Sequence, residues 1–427
     1  SLQQLLAIMT ASLVVPVIIG NGMSSAAALF GAGVGTIVYL LFTLFRSPVF
    51  LGSSFAFIGS MSAAFAGGVS MSLGYLGLII GAVFAGLVYV VIAIVVKLVG
   101  VKWINKLMPP VIIGPTVAII GLSLAGNAVS DALGGNKNAA GSFTMDLHTS
   151  LCLICALVTF IVVTLCSVYG KKMAKLIPFV IGIVAGYLVA TVFTVIGNAT
   201  GNDAMVIIDF SRFASMQWYP DFTFIKAAKG LSAINGEYIA TIAVAYIPVA
   251  FVVFAEHIAD HKNLSSIIGQ ELLEEPGLHR TLLGDGIGSM AGAFFGGCPN
   301  TTYGESVGCV AITGNASVYT ILTTAILAII ASFLAPFVTF LATIPSCVMG
   351  GVCITLYGFI AVSGLKMIQK VDLGDNHNLF VVSVILITGI GGMSIGIGPV
   401  TITEVASALI LGILTNLLLS RKKKDEN

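Results

Sequence analysis

Four carboxylates stand where apolar sequence would otherwise run almost unbroken. Glu256 closes the run VAYIPVAFVVFAEH, Asp285 sits in LLGDGIGSM, Glu305 in PNTTYGESVG and Glu404 in VTITEVASALI. A carboxylate inside a bilayer costs ~3 kcal/mol even on lenient insertion scales, so each needs a reason to be there. Glu404 reads as structural, close to a membrane interface, and Asp285 as a supporting or packing group near the start of its span. Glu256 and Glu305 form the pair with chemistry. Together they suit a neutral ligand that offers two N–H donors. They also suit proton coupling, because a carboxyl group taken out of water holds a proton more readily. His257 is adjacent in sequence but about 100° around a helix, so it is expected to pack rather than to face the same cavity.

The elements around these residues must be membrane spans. Of 427 residues, 57% are hydrophobic and only 9% charged, and the mean hydropathy is +1.06. About a quarter of an ordinary globular chain is charged. Runs such as 76–99 and 318–342 reach the ~20 apolar residues that cross a bilayer. An interfacial, non-spanning helix is excluded because such runs fill the whole length. Nothing basic and aromatic together suggests nucleic acid. The chain opens in apolar sequence with no basic stretch before it, so no cleavable signal peptide is expected. Cys152 and Cys155 form a CxxC inside an apolar span with no histidine or carboxylate partner, and packed thiols are expected rather than a metal or redox site.

Breaks at Gly, Pro and charge divide the chain into 14 segments, from 4–20 to 401–420, and the expected class is an all-α polytopic membrane protein. Alternate connections then collect the basic residues. Fifteen of the nineteen Lys and Arg, including Arg46, Lys102, Lys106, Lys171, Lys172, Lys366 and the tail Arg421–Lys424, fall on one side. Lys137, Arg212, Lys226 and Lys229 fall on the other. The richer side is expected in the cytoplasm with both termini. The long polar connections at 128–148 and 198–237 lie outside.

Two segments are interrupted in matching places. FLGSSFAFIG at 50–59 falls in the third segment, and PNTTYGESVG at 299–308 opens the tenth. The fifth opens PPVIIG and the twelfth PSCVMG, a second echo at the same offset. Two sets of seven spans related by inversion would put these stretches opposite each other. Paired interruptions of this kind point to a midplane substrate site in a secondary transporter. Extended backbone at that depth needs partners that lipid does not supply. A strand over SSFAF pairing with one in PNTTYG supplies them, and each strand then leads into a half-helix whose amides face the cavity.

AEHIADHKNL (255–264), PGLHR (276–280), PNTTYGESVGCVAITG (299–314), PSCVMGGVCITLYG (345–358) and FLGSSFAFI (50–58) together resemble the nucleobase–ascorbate transporter family, most closely its bacterial uracil permeases. The opening SLQQLLAIMTASLVVPV resembles that family's first span, so the likeness runs along essentially the whole chain. The resemblance implies 14 segments in two inverted sevens, with short antiparallel strands in segments 3 and 10. It implies a core domain of 1–107 and 238–341 and a gate domain of 108–237 and 342–427, the last ending in the basic tail. It further implies a homodimer in a bacterial-type cytoplasmic membrane, working by an elevator-like motion on uracil and protons, without enzyme activity, cofactor or metal.

Residue by residue, Glu256 matches the carboxylate that binds the base and couples to protons, and Glu305 the second carboxylate. Phe55 and Gly304 match backbone contacts to the base. Tyr303 and Ala11 match pocket-lining positions, and Tyr357 a gate-side aromatic. Ser54, Asp285 and Ser306 fall beside these as supporting groups. The chain departs from the family pattern twice. Ser306 stands where the signature usually has Asn, and Asp260 where some uracil permeases have a histidine in the proton path, so Asp260 is the candidate partner there. Family members for xanthine or urate tend to have Gln at the Glu305 position, which tilts the expectation to uracil; a purine symporter, or an anion transporter of the same architecture, is the alternative.

Overall fold

Extended backbone inside a bilayer must pair off every N–H and C=O, and the interrupted segments do so with each other. A computed structural model describes residues 1–100, 109–135, 142–171, 173–216, 218–397 and 400–425 of the chain. Lys102, Lys106, Lys137, Lys172 and the 107/108 domain boundary lie outside the described residues, as do the side chains of Ala11 and of the tail from Arg421. Among the described residues seven helices are long and apolar enough to cross a membrane. By contact the chain forms two compact units, one of Ser1–Ile120, Pro220–Ser332 and Ala361–Asn427, the other of Gly121–Tyr219 and Phe333–Ile360.

The first unit holds α1 (Leu2–Ile19), α2 (Ser25–Phe42), β1 (Leu51–Ser53), α3 (Ile58–Ala64) and α4 (Met71–Val99), and the start of α5 (Pro110–Ser123). The second unit takes the end of α5, then α6 (Ala125–Ala132), α7 (Leu147–Tyr169), α8 (Met173–Leu176) and α9 (Pro178–Thr200). Back in the first unit come α10 (Thr223–Ala227), α11 (Gly236–Ile268), α12 (Leu278–Gly296), β2 (Asn300–Thr302), α13 (Gly304–Thr313) and α14 (Val318–Ala331). α15 (Ala335–Ala342) and most of α16 (Ser346–Ile368) belong to the second unit. α17 (Asn376–Ile390), β3 (Ile395–Ile397), β4 (Val400–Ile402) and α18 (Glu404–Asp425) complete the first.

β1 and β2 pair antiparallel, with Leu51 opposite Thr302, Gly52 opposite Thr301 and Ser53 opposite Asn300. The pairing extends one bond beyond each end. Ser54 N–H donates to Pro299 O (2.9 Å) and Tyr303 N–H to Phe50 O (3.3 Å). The far edge of β1 is closed by one side chain of α2: Thr36 Oγ1 accepts from Leu51 N–H (2.9 Å) and donates to Leu51 O (3.1 Å). Asn300 Nδ2 reaches Gly31 O on the same helix (3.0 Å). The strand expected over Ser53–Phe57 is therefore shorter and earlier. β2 begins only at Asn300, shortly after α12 ends at Gly296, so beyond the Ser54–Pro299 bond no partner strand remains and Phe55–Phe57 curls into a 3-10 turn.

Small residues let α12 approach its neighbours. A Cβ on Gly35 would lie 2.7 Å from Gly288 O, and one on Gly86 2.6 Å from Gly286 O. Both obstacles are backbone, so the contacts exist only because side chains are missing, the usual way membrane helices come close. α11 also differs from expectation. It runs 33 residues, through the polar stretch after Glu256, and ends at Gly269, whose φ of +69° glycine adopts without strain. It continues because its histidines are buried and bonded inside the unit, as described below.

In the second unit Tyr187 Oη and Thr343 Oγ1 share a hydrogen bond (2.8 Å), and Arg212 Nη1 donates to Ala342 O (2.7 Å). Cys152 and Cys155 form no disulfide and are buried, but Cys152 Sγ lies 3.6 Å from His148 Nε2, one turn earlier on α7, so the expectation of no histidine partner is corrected. The run 318–341, expected as one span, is two helices, because Pro336 starts α15 where its missing N–H is not needed. The β3–β4 hairpin, Ile395 opposite Ile402, has no counterpart among the expectations.

Thr36→Val keeps the shape of that side chain and removes both bonds to Leu51. Each buried backbone group left unpaired costs about 1–3 kcal/mol. The variant is expected to lower the thermal unfolding midpoint of the solubilised protein by several degrees; an unchanged midpoint would mean that α2 does not hold this strand edge.

Candidate functional site

The segment AEHIADH puts two kinds of side chain on two faces of α11. Glu256 and Asp260 are four residues apart and share one face; His257 and His261, also four apart, share another. The carboxylate face meets the end of the strand pair. Thr302 Oγ1, the last position of β2, donates to Asp260 Oδ2 (2.8 Å). One residue on, Tyr303 caps α13, and Gly304 and Glu305 form its first turn, where backbone N–H groups have no helical partner. Glu256 lies within electrostatic range of both Asp260 and Glu305. A Cβ on Gly304 would meet only Asp260 Oδ1, at 3.9 Å, so that face of the backbone is open.

Burial divides the expected residues into two groups. Glu256, Asp260, Glu305 and Phe55 are half-buried and Gly304 is exposed. Ser54, Tyr303, Ser306 and Asp285 are buried. The first group gives a recess with carboxylate acceptors on one side and the amides of a helix start on the other. The second group supports it. Tyr303, expected to line the pocket, is 4% exposed, and its hydroxyl donates to Ser53 O (2.8 Å) and lies 3.2 Å from Ser12 Oγ. Its ring fills the space where Gly52 lacks a side chain. Tyr357 belongs to the second unit and is buried there. Ala11 lies on α1, its side chain outside the described residues.

Ser306 now has a physical account. Its hydroxyl accepts from Gln4 Nε2 (2.7 Å) and from Phe50 N–H (3.2 Å), the residue that leads into β1. Gln4 Nε2 also reaches Ser306 O (3.3 Å). One small hydroxyl thus ties α1, the start of β1 and the first turn of α13 together, directly behind Glu305. Gln4 was not among the expected site residues, and its one sequence signal is a polar side chain, 5% exposed, within an apolar helix. Thr302 and Thr36 were also missed; threonines in apolar helices and strands usually satisfy local backbone, and no spacing marks these two.

The histidine face is wholly buried. His257 Nδ1 lies 2.7 Å from Asp285 Oδ2 and its Nε2 3.0 Å from Thr281 Oγ1. His261 Nδ1 donates to His257 O (2.8 Å), while its Nε2 accepts from Tyr39 Oη (2.7 Å). Asp285 therefore supports α11 from behind rather than entering the recess.

The chain is similar to known membrane transporters along its whole length. The Permease family model (Xan_ur_permease) matches residues 1–397. The uracil permease of Bacillus caldolyticus is 41% identical over 100% of this chain and 93% of that protein. The uracil permease of Bacillus subtilis (strain 168) is 37% identical, again over 100% of this chain and 93% of its own length. Among solved structures, the transmembrane domain of a cyanobacterium bicarbonate transporter, BicA, superposes with a TM-score of 0.66 over 97% of this chain and 95% of that one. At 14% identity that likeness shows the fold alone.

Gln4 and Ser306 are expected to act as one unit. Gln4→Ala and Ser306→Ala should each lower the unfolding midpoint, and the double variant should fall by about as much as the worse single one, a coupling on the order of 1 kcal/mol. Simple additivity would mean the two side chains do not depend on each other.

Proposed function

The chain belongs to the Permease family and is a multi-pass membrane transporter, not an enzyme; from that premise we propose that it imports uracil together with protons. The observation that carries the proposal is the convergence of Glu256, Asp260 and Glu305 on the end of the β1–β2 pair, where the first amides of α13 have no helical partner. Uracil presents two N–H donors flanked by carbonyls. Glu256 and Glu305 accept from the ring N–H groups, and the backbone amides at Phe55 and Gly304 donate to the carbonyls. A ligand with the wrong edge leaves buried groups unpaired, which is how such a site discriminates by orders of magnitude. An anion would meet three carboxylates, whereas an anion site is lined with cationic groups or bare helix starts.

In this reading Glu256 carries the coupled proton and Asp260, held by Thr302, is its polar partner. Two inverted sets of seven spans form a core that carries the site and a gate against which it moves, in an elevator-type cycle, with Tyr357 on the gate side. The transporter works as a homodimer in a bacterial cytoplasmic membrane with both termini inside. Two surface contacts fit that topology. Arg46 pairs with Glu275 between two connections assigned to the cytoplasm, and Lys226 donates to Gly22 O (2.7 Å) between two assigned to the outside.

Uptake of labelled uracil and xanthine into proteoliposomes, with and without an inward proton gradient, tests the reading. Gradient-driven accumulation of uracil is expected; indifference to the gradient would remove the symport, and preference for xanthine would replace the substrate. Glu305→Gln is expected to weaken uracil binding more than about tenfold by calorimetry, since it puts an N–H donor against another donor. Glu256→Gln should abolish accumulation, and accumulation in that variant would move the coupling site elsewhere.

A further inference from the structure

Behind the recess lies a group of side chains that the proposed function does not use. We infer that His257, Asp285 and Thr281 form a second proton-holding site, coupled by charge to the carboxylates on the neighbouring face of α11; the inference rests on the proton-coupled reading above. All three side chains are 0% exposed. Asp285 Oδ1 has no hydrogen-bond partner among the described residues, so the contact with His257 is what offsets the burial of this carboxylate.

The hydrogen bonds can be satisfied in two ways. A carboxylate accepts, so His257 Nδ1 carries a hydrogen towards Asp285 Oδ2. Thr281 has one hydroxyl hydrogen and two directions for it, His257 Nε2 at 3.0 Å and Leu278 O at 3.1 Å. In one form the imidazole is neutral and the Thr281 hydroxyl donates to Nε2. In the other, Nε2 is protonated and donates to Thr281 Oγ1, whose hydrogen turns to Leu278 O. Every imidazole nitrogen is paired in both forms. They differ by one proton and one unit of charge, and no heavy atom moves between them. The proton is gained from and returned to water, and no other bond forms or breaks.

His261 does not share this property. Its ring stacks on His257 at 4.1 Å, and its two nitrogens bond a carbonyl and a tyrosine hydroxyl, with no carboxylate in contact to balance a charge. The other titratable groups facing the pair are Tyr89 of α4, edge-on to His257 at 6.2 Å, Tyr39 of α2, and Glu256 and Asp260 on α11. No Lys or Arg is among them. Asp285 is within electrostatic range of Glu256, so a proton gained at the pair changes the potential that Glu256 meets while it holds substrate.

The test uses the full chain in proteoliposomes, with uracil as the probe. His257→Gln and Asp285→Asn preserve shape and remove the proton site. Both are expected to bind uracil within about threefold of the unmodified protein. Each should take up fewer protons per uracil, read by a pH-sensitive dye. Each coupled proton multiplies accumulation about tenfold per pH unit, so accumulation should fall about tenfold in a one-unit gradient. The double variant should show no further loss. Unaltered proton counts and accumulation in both single variants would overturn the inference. Should either fail to fold, nitrogen-15 spectra of histidine-labelled unmodified protein decide instead. Resonances of a buried ring that change protonation with pH, and with uracil at fixed pH, support the site; a His257 ring constant between pH 5 and 9 removes it. If the unmodified protein binds no uracil, the functional reading fails, and the pH titration still reports on the triad.

Discussion

The rest of this molecule depends on one constraint: extended backbone placed within a membrane has no water to pair with. Six residues, Leu51–Ser53 and Asn300–Thr302, meet it by pairing with each other, but a pair of strands still has two outer edges and four ends. Thr36 closes one edge with a single hydroxyl that both accepts and donates, and Asn300 reaches back to α2. The ends continue into Pro299 and Phe50. Only once these groups are paired does the chain gain a place where a helix can start beside the strand end with its first amides lacking helical partners.

The same economy governs α11. A helix carrying Glu, His, Asp and His in six residues would be a poor membrane helix if all four side chains faced lipid. Spacing of four puts the carboxylates on one side and the histidines on another, and each face then finds partners of the opposite hydrogen-bonding character. Thr302 donates to Asp260; Tyr39 donates to His261; Asp285 accepts from His257. Gly86 and Gly286 let α12 lie against α4, Gly35 and Gly288 let it lie against α2, and from there Asp285 meets His257.

Much of this was legible in the sequence, for identifiable reasons. Membrane class follows from hydropathy, and the special status of 50–59 and 299–308 from Gly, Ser and Pro in places where apolar residues would serve a span better. Glu256 and Glu305 stand out because charge in such surroundings is costly. What could not be read were the partners. Gln4 is 302 positions from Ser306, and nothing local in QQLL or GESVG pairs them. The strand ended sooner than SSFAF suggested because its length is set by its partner, not by its own alternation. His257 was read as packing, which its burial matches, but its contact with Asp285 across 28 positions depends on how α12 sits and leaves no periodic trace. Tyr303 resembles a pocket residue, yet it stands under Gly52 as a strut, a role visible only once both strands are in place.

Sharing a fold with a bicarbonate transporter sharpens what decides cargo in such an architecture. In this chain the first turn of α13 brings helix-start amides to the recess, and such amides alone favour a negatively charged guest. The sign is changed by what faces them. Here Glu305 occupies the first turn of α13 itself, and Glu256 and Asp260 look on from α11, so the positive end of the helix is already matched by carboxylates belonging to the protein. An added anion would have to displace that balance. A neutral ring with donors and acceptors alternating along its edge does not, because it can meet the carboxylates with its N–H groups and the amides with its carbonyls at once. On the proposed reading, cargo chemistry sits in three acidic side chains, while the strands and half-helices supply the frame that holds them.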